Sequence, residues 1–324
     1  LHQYDPKLQE IRGVYYTPFP VVDFIINAVD TILKLDFNQK GLNSALYKNS
    51  PITLLDFATG TGTFLLEAFR KALATPYQKA LDKDIKFLID KFMGFEFLIA
   101  PYTVAHLKIS QALKEEFKIN LKDDERLKIY LTNTLGNIDT KEIQSSFESM
   151  VELAIESKTA QEIKDNQILI ITGNPPYNAL SINKYDIESY KFCGLDKNDK
   201  LMKLKDRKHR LNDDYIKFIR FAQNKIDKQE QGIIAIITNN SFLDGATING
   251  MRWHLLNSFD KIYLLNLHGD ANKHETNPNG GLEQNVFDIK QGVCISIFIK
   301  KNSANKTLSN QPQCKVMDSD LYGS

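Results

Sequence analysis

The tetrapeptide Asn174-Pro175-Pro176-Tyr177 is where residue type and spacing point most directly to chemistry. An exocyclic amine is a poor nucleophile because its nitrogen lone pair is delocalised into the ring. Two acceptors aimed at its hydrogens stabilise the positive charge that grows as the nitrogen attacks. The side-chain oxygen of Asn174 and the main-chain carbonyl of Pro175 can form such a pair, the prolines stiffen the loop, and Tyr177 offers a ring face on which a planar group can stack. A second constellation is Asp56-Phe57-Ala58-Thr59-Gly60-Thr61-Gly62-Thr63-Phe64. Glycines at a strand-to-helix turn let the backbone approach a ligand at the strands' carboxyl ends. Asp56 there can accept a hydrogen bond or pair with a cationic group. Nicotinamide folds use similar glycines with an acid ~20 residues on. Here the next strand ends at Gly94-Phe95-Glu96, well beyond that distance, and Glu96 suits a ribose diol in either reading. A third run, Gly13-Val14-Tyr15-Tyr16-Thr17-Pro18, leads into a helix whose first turn tolerates Pro20 and by itself carries no chemistry.

These groups need elements to hold them. Apolar runs predict seven strands: Thr53–Ala58, Phe92–Phe97, Leu127–Thr132, Gln167–Thr172, Gly232–Thr238, Lys261–Leu267 and Val293–Lys300. Helical spacing predicts helices over Thr63–Ala74, Tyr77–Lys91, Ala100–Phe117, Glu142–Lys164, Asp213–Lys228 and Ile248–Ser258. Strands alternating with helices indicate an α/β fold: a Rossmann-like, doubly wound, mostly parallel seven-stranded sheet. The stretches 178–211 and 269–291 fit no element and read as long loops of a catalytic domain spanning 1–301. Residues 302–324 read as a polar tail, or the start of a further region.

Composition bounds the function classes. The 324 residues carry 42% hydrophobic side chains and a net charge of +1, so a core can be buried and any polyanion contact must be local. Cys193, Cys294 and Cys314 make no metal-binding pair, which predicts reduced thiols in a cytoplasm. Apolar runs such as Gly232–Ile237 are too short to span a bilayer. The chain opens on Leu-His-Gln-Tyr, without an initiator Met, and reads as a piece of something longer.

In this order the three motifs resemble the gamma class of amino-methyltransferases acting on adenine N6 in DNA. Within it, residues 10–301 look most like the methyltransferase region of large single-polypeptide restriction–modification enzymes. The resemblance implies the S-adenosylmethionine-dependent methyltransferase fold, that cofactor, and double-stranded DNA as partner. It also implies nuclease, helicase-like and target-recognition regions in the same longer polypeptide. By resemblance, Tyr15, Tyr16, Thr17 and Pro18 pack around the methionine part of the cofactor. Asp56, Ala58, Thr59, Gly60 and Gly62 form the main cofactor loop, Glu96 holds the ribose hydroxyls, and Asn133 contacts the adenine. Asn174, Pro175, Pro176 and Tyr177 match the catalytic motif, with Phe287 as a second aromatic wall for the target base. Two positions depart: Phe57 stands where the family usually has Pro, and Asn133 where many relatives have Asp.

The Lys-rich segment Lys197–Arg210 reads either as a solvated face or as phosphate contact beside the site. His268 reads as loop packing, Trp253 as core, and Cys294 as an inert buried thiol; His106, His209, His254 and His274 show no ligand spacing. Three rival functions remain at this level: methylation of glutamine side chains or RNA bases, which poses the same amine problem; a dinucleotide-dependent oxidoreductase, which leaves Asn174–Tyr177 without a role; and a non-catalytic DNA-binding module with a decayed site.

Overall fold

The computed structural model describes residues 16–74, 81–122, 125–136, 168–179, 181, 183–204, 210–229, 231–287, 289–301 and 307–323. The chain divides into two compact units, one of Phe19–Gly173 and the other of Leu1–Pro18 with Asn174–Ser324. Tyr15, the expected helix Glu142–Lys164, and Lys205–His209 lie outside the described residues.

In the first unit, helix α1 (Phe19–Asp36) buries Val22, Ile25, Ile26, Val29 and Leu33, the i, i+3, i+4, i+7 stripe of a core-facing helix. Strand β1 (Ile52–Asp56) is buried along its whole length. It feeds helix α2 (Thr63–Leu73), then α3 (Leu81–Lys91), β2 (Phe92–Glu96), α4 (Ile99–Phe117), β3 (Lys128–Leu131) and β4 (Ile168–Gly173). All three pairings are parallel, β1 with β2, β2 with β3, and β1 with β4, giving the order β4-β1-β2-β3. The chain steps outward from β1 to β3 and then returns to the other flank of β1. Such a reversal leaves a crevice outside the carboxyl ends of the strands, where open α/β sheets take their ligands.

The second unit begins its regular structure with an antiparallel hairpin, β5 (Phe192–Leu195) and β6 (Leu201–Lys203). Helix α5 (Asp214–Gln229), strand β7 (Gly232–Asn239), the short helix α6 (Ser241–Asp244), helix α7 (Asn249–Ser258), and strands β8 (Lys261–Asn266), β9 (Val293–Lys300) and β10 (Lys315–Asp320) follow. Strand β9 lies between β7 and β8 and is antiparallel to both, while β10 is parallel to β8. β7 is buried throughout, its apolar run Gly232–Ile237 followed by the buried Thr238 and Asn239.

Among the described residues the sheet strands number eight, four in each unit, rather than the seven expected, and the extra one is β10. It falls within 302–324, which read as a polar tail or the start of a further region. Its sequence Lys-Val-Met-Asp-Ser-Asp is exposed at five of six positions, so no inward-facing alternation marked it. The segment 178–211 is likewise not all loop. It holds the β5–β6 hairpin, whose strands are too short for a periodic signal, and a 3-10 turn at Glu188–Lys191. The segment 269–291 keeps only a Thr276–Leu282 bridge among its described residues. No helix among the described residues is long and apolar enough to cross a membrane.

Candidate active site

Strand β1 delivers Asp56 to its carboxyl end, where the side chain is 0% exposed. One carboxylate oxygen accepts the Ala58 N–H at 3.3 Å; the other is buried without a hydrogen-bond partner. Burial pushes this carboxyl from its ordinary 3.8 up to about 8, against the Ala58 N–H, which lowers it, and with the nearby Glu96 charge, which raises it further. An acid buried with a bare oxygen is costly unless something cationic completes it.

The loop that follows is tied down by its neighbours. The Thr59 hydroxyl donates to the Asp56 carbonyl at 3.1 Å, and the Thr59 N–H donates to the Phe95 carbonyl at 2.9 Å. Gly60 sits at φ +55, and a side chain there would meet nothing within 4 Å, so this backbone faces open space. Gly62 then opens α2. At the end of β2, Glu96 accepts the Gly60 N–H at 2.7 Å through one oxygen and the Leu98 N–H at 2.7 Å through the other. Burial raises the Glu96 carboxyl and these N–H groups oppose the rise. After β3, Asn133 turns its side-chain oxygen back onto the Leu135 N–H at 3.0 Å. The first unit therefore gathers Asp56, Ala58, Thr59, Gly60, Glu96 and Asn133 at the carboxyl ends of β1, β2 and β3.

Phe57, the departure from the family's proline, has a local reason. Its N–H donates to the Thr172 carbonyl at 3.2 Å, a bond proline cannot make, and its carbonyl accepts the Thr134 hydroxyl at 2.6 Å. Gly173 closes β4 at φ +135, where a Cβ would stand 2.8 Å from the Asp56 Oδ1 and 3.0 Å from the Phe57 ring. Backbone strain of about 1–3 kcal/mol would add to that collision. Gly173→Ala is expected to lower the thermal midpoint by several degrees and to weaken ligand binding at Asp56. An unchanged melting curve and affinity would show that Asp56 tolerates the displacement.

The second unit holds Asn174-Pro175-Pro176-Tyr177, the run that the resemblance matches to the catalytic motif. Asn174 is pinned at both ends of its amide: Nδ2 donates to the Thr17 hydroxyl at 3.1 Å, and Oδ1 accepts the Tyr177 hydroxyl at 2.7 Å. A carbonyl oxygen has two lone pairs, so one acceptor position on Oδ1 is left by this bond. Thr17, which the resemblance puts beside the cofactor's methionine, thus also orients Asn174; Tyr16 is exposed and Pro18 half-buried. Tyr177 is 8% exposed and its hydroxyl also lies 3.5 Å from the Ile237 carbonyl. Its ring is packed inward here, where the sequence suggested an open stacking face. Pro175 is buried and Pro176 half-buried. Phe287 is buried, with its N–H bonded to the Asn285 side chain at 2.8 Å. A groove of about 570 Å³ borders Ala179, two residues past Tyr177, and includes Asp213, Tyr215, Asn239 and Ser241.

Sequence reasoning missed several participants. Phe97, directly after Glu96, is 63% exposed. Thr134 supports the Phe57 turn, and Asp213 and Asp214 bond the backbone of Asn178. Only the acidic pair was readable in advance, as residues that favour helix starts. The remaining assignments are structural: His268 engages Asp320 at 2.8 Å and stacks on Tyr322 at 4.1 Å, Trp253 is buried in α7, and burial pushes the Cys294 thiol up to about 12. No metal-ligating cluster occurs among the described residues.

Comparison with known proteins supplies the family. The profile described as the MmeI DNA-methyltransferase domain matches residues 33–265. No curated protein matches the chain. Among solved structures, a DrdV–DNA complex shares 26% identity at TM-score 0.72, over 99% of this chain and 29% of that one. LlaBIII, an ATP-dependent Type ISP restriction–modification enzyme bound to DNA, shares 26% identity at TM-score 0.70, over 96% of this chain and 20% of that one. LlaGI, another Type ISP enzyme, has the same fold at 23% identity and TM-score 0.68. The chain thus spans under a third of the length of these structures.

Proposed function

The chain belongs to the MmeI DNA-methyltransferase domain family, and from that premise we propose that it transfers a methyl group from S-adenosylmethionine to the N6 amine of adenine in DNA. The observation that carries the reading is the Asn174 amide, held by Thr17 and Tyr177 with an acceptor position to spare. That position suits one hydrogen of an exocyclic amine, and the Pro175 carbonyl suits the other.

The residues of the first unit fit the cofactor. The bare oxygen of Asp56 suits its ammonium group, the open backbone at Gly60 admits its close approach, and Glu96 retains lone pairs for ribose hydroxyls. Asn133 is proposed to meet the adenine, and the exposed ring of Phe97 to cover it. When bound, S-adenosylmethionine supplies an electrophilic methyl on a sulfonium centre. Asn174 and Pro175 hold the amine and stabilise the charge that develops on it, so positioning and electrostatics carry most of the rate. No strong base is required, because the amine becomes acidic only as the bond to carbon forms. The target adenine must leave the duplex first, since its amine lies inside the stack. Tyr177 is proposed to offer its ring to the base while its hydroxyl stays on Asn174, with Phe287 as the second wall.

DNA as substrate, further regions of a longer polypeptide, and a cytoplasmic setting belong to the same proposal. Its support is that both 26%-identical structures are described with DNA. Methyl-labelled cofactor offered together with duplex DNA, RNA and bulk protein tests it. Label in DNA is expected; label confined to glutamine side chains or to RNA would overturn the choice of substrate.

The hairpin gives a second test. Lys197, Lys200 and Lys203 are exposed on and beside its tip, and the Asp196 carboxylate is engaged with the N–H groups of Asn198 and Lys200 within the turn. Neutralising the three lysines to Gln is expected to flatten the dependence of log K for DNA on log salt by about one for each phosphate that these lysines neutralise in the wild type. An unchanged slope would return these lysines to a solvated face.

A further inference from the structure

Lys217, on the first turns of α5, is 2% exposed. Burying an ammonium is expensive, and burial does lower its pKa, with the Asp214 and Asp213 charges acting the other way. Burial alone gives no reason for a charge at this position, since a well-packed apolar residue of similar volume is often neutral or stabilising in place of a buried ion. The reason lies in what Lys217 grips.

Its ammonium donates to the Ser181 hydroxyl at 2.9 Å and to the Asn183 carbonyl at 2.6 Å. The Ser181 hydroxyl in turn donates to the Asp214 carboxylate, which also accepts the Asn183 amide at 2.9 Å. The Asn212 amide donates to the Ser181 carbonyl at 3.1 Å. One residue past Tyr177, the Asn178 N–H donates to Asp213 at 3.0 Å, and the Asn178 carbonyl accepts the Asp214 N–H at 3.2 Å. At Asn178, Ser181 and Asn183 the chain is therefore fastened, through backbone and side-chain groups, to the start of α5.

We propose that Lys217 is a positioning residue for the amine-binding motif: through Ser181 and Asn183, and together with Asp213 and Asp214, it clamps the chain leaving Tyr177 and so fixes the direction of the Tyr177 hydroxyl that orients Asn174. The inference rests on the proposed amine methylation for its catalytic consequence, but the clamp itself is testable without it. Lys217 touches no substrate in this account. It acts through the loop, by holding Tyr177 and Asn174 in the orientation in which the remaining lone pair of Asn174 is presented.

The test compares the wild type with Lys217→Met, Ser181→Ala and Lys217→Arg in two readouts. In amide hydrogen exchange, Lys217→Met and Ser181→Ala are expected to accelerate exchange from Tyr177 to Asn183 about tenfold or more, leaving β7 and β9 unchanged. Lys217→Arg, which keeps the charge, retains most of the protection. In methyl transfer, the same two variants lose about tenfold or more in kcat, with KM for the cofactor within twofold. Uniform loss of protection across the second unit would make Lys217 a stability residue only, and unchanged exchange at residues 177–183 would overturn the clamp. Ser181→Ala keeps the test decisive if Lys217→Met does not fold. A clamp that fails beside a wild type that methylates adenine refutes this inference alone. A wild type that exchanges as expected but methylates nothing refutes the proposed function and leaves the clamp standing.

Discussion

Asn174→Ala is expected to cut methyl transfer roughly a hundred- to a thousandfold, the effect of removing one preorganised polar group from a developing charge. The cofactor Kd should stay within about twofold, because Asn174 bonds only Thr17 and Tyr177 in the hydrogen bonds described for its side chain. The variant leaves the Tyr177 hydroxyl its 3.5 Å approach to the Ile237 carbonyl, so the ring keeps a polar neighbour and the fold should survive. Loss of rate with retained binding is the signature of a group that acts on the transition state. Single-turnover rates with calorimetric titration of cofactor separate the two quantities. A variant that transfers methyl at the wild-type rate would remove Asn174 from the mechanism.

Asp56→Asn should do the opposite, leaving the amine-binding motif intact and removing the cofactor. Truncating one side of a buried charge pair costs about 2–5 kcal/mol, or about 30-fold and upward in Kd. The pH dependence carries the sign. Asp56 titrates near 8 in the folded chain against an ordinary 3.8, so the folded state keeps a proton that the unfolded state has released. Stability of the ligand-free protein from this group therefore falls as pH rises from about 4 to about 8, and is fully lost above that window. Asp56→Asn abolishes this contribution, so its melting temperature should gain on the wild type as pH rises from 6 to 9. A cationic ligand favours ionised Asp56, so wild-type cofactor affinity should rise towards pH 8 and binding should release protons, read as a buffer-dependent heat. Equal pH profiles for the two proteins, with or without cofactor, would mean that Asp56 does not meet the ammonium group.

How much was legible follows from where the signal lay. The strands predicted at Gly232–Thr238 and Val293–Lys300 reappear at Gly232–Asn239 and Val293–Lys300, because a strand buried on both faces reads as a nearly continuous apolar run. β10 was invisible for the opposite reason: at the sheet edge it packs too little to constrain its composition. The same logic divides the site. Asp56 to Gly62 and Asn174 to Tyr177 are contiguous in sequence, so their chemistry could be read as words. The clamp joins Ser181 to Lys217 across 36 residues, and no local pattern announces a lysine whose partners are that far away. Burial of Tyr177 was not legible either: sequence gives the aromatic face but not the packing that turns it inward. Gly173 lies in the middle position, a visible glycine whose necessity appears only when Asp56 and Phe57 are found where its side chain would be.

The central claim is that the amine held at Asn174 belongs to adenine. The most direct measurement is mass spectrometry of nucleosides from the DNA of a host that lacks N6-methyladenine, expressing the protein or its Asn174→Ala variant. The account predicts N6-methyladenine with the wild type and its absence with the variant. N4-methylcytosine in its place, or unmodified DNA beside methylated protein, would contradict it.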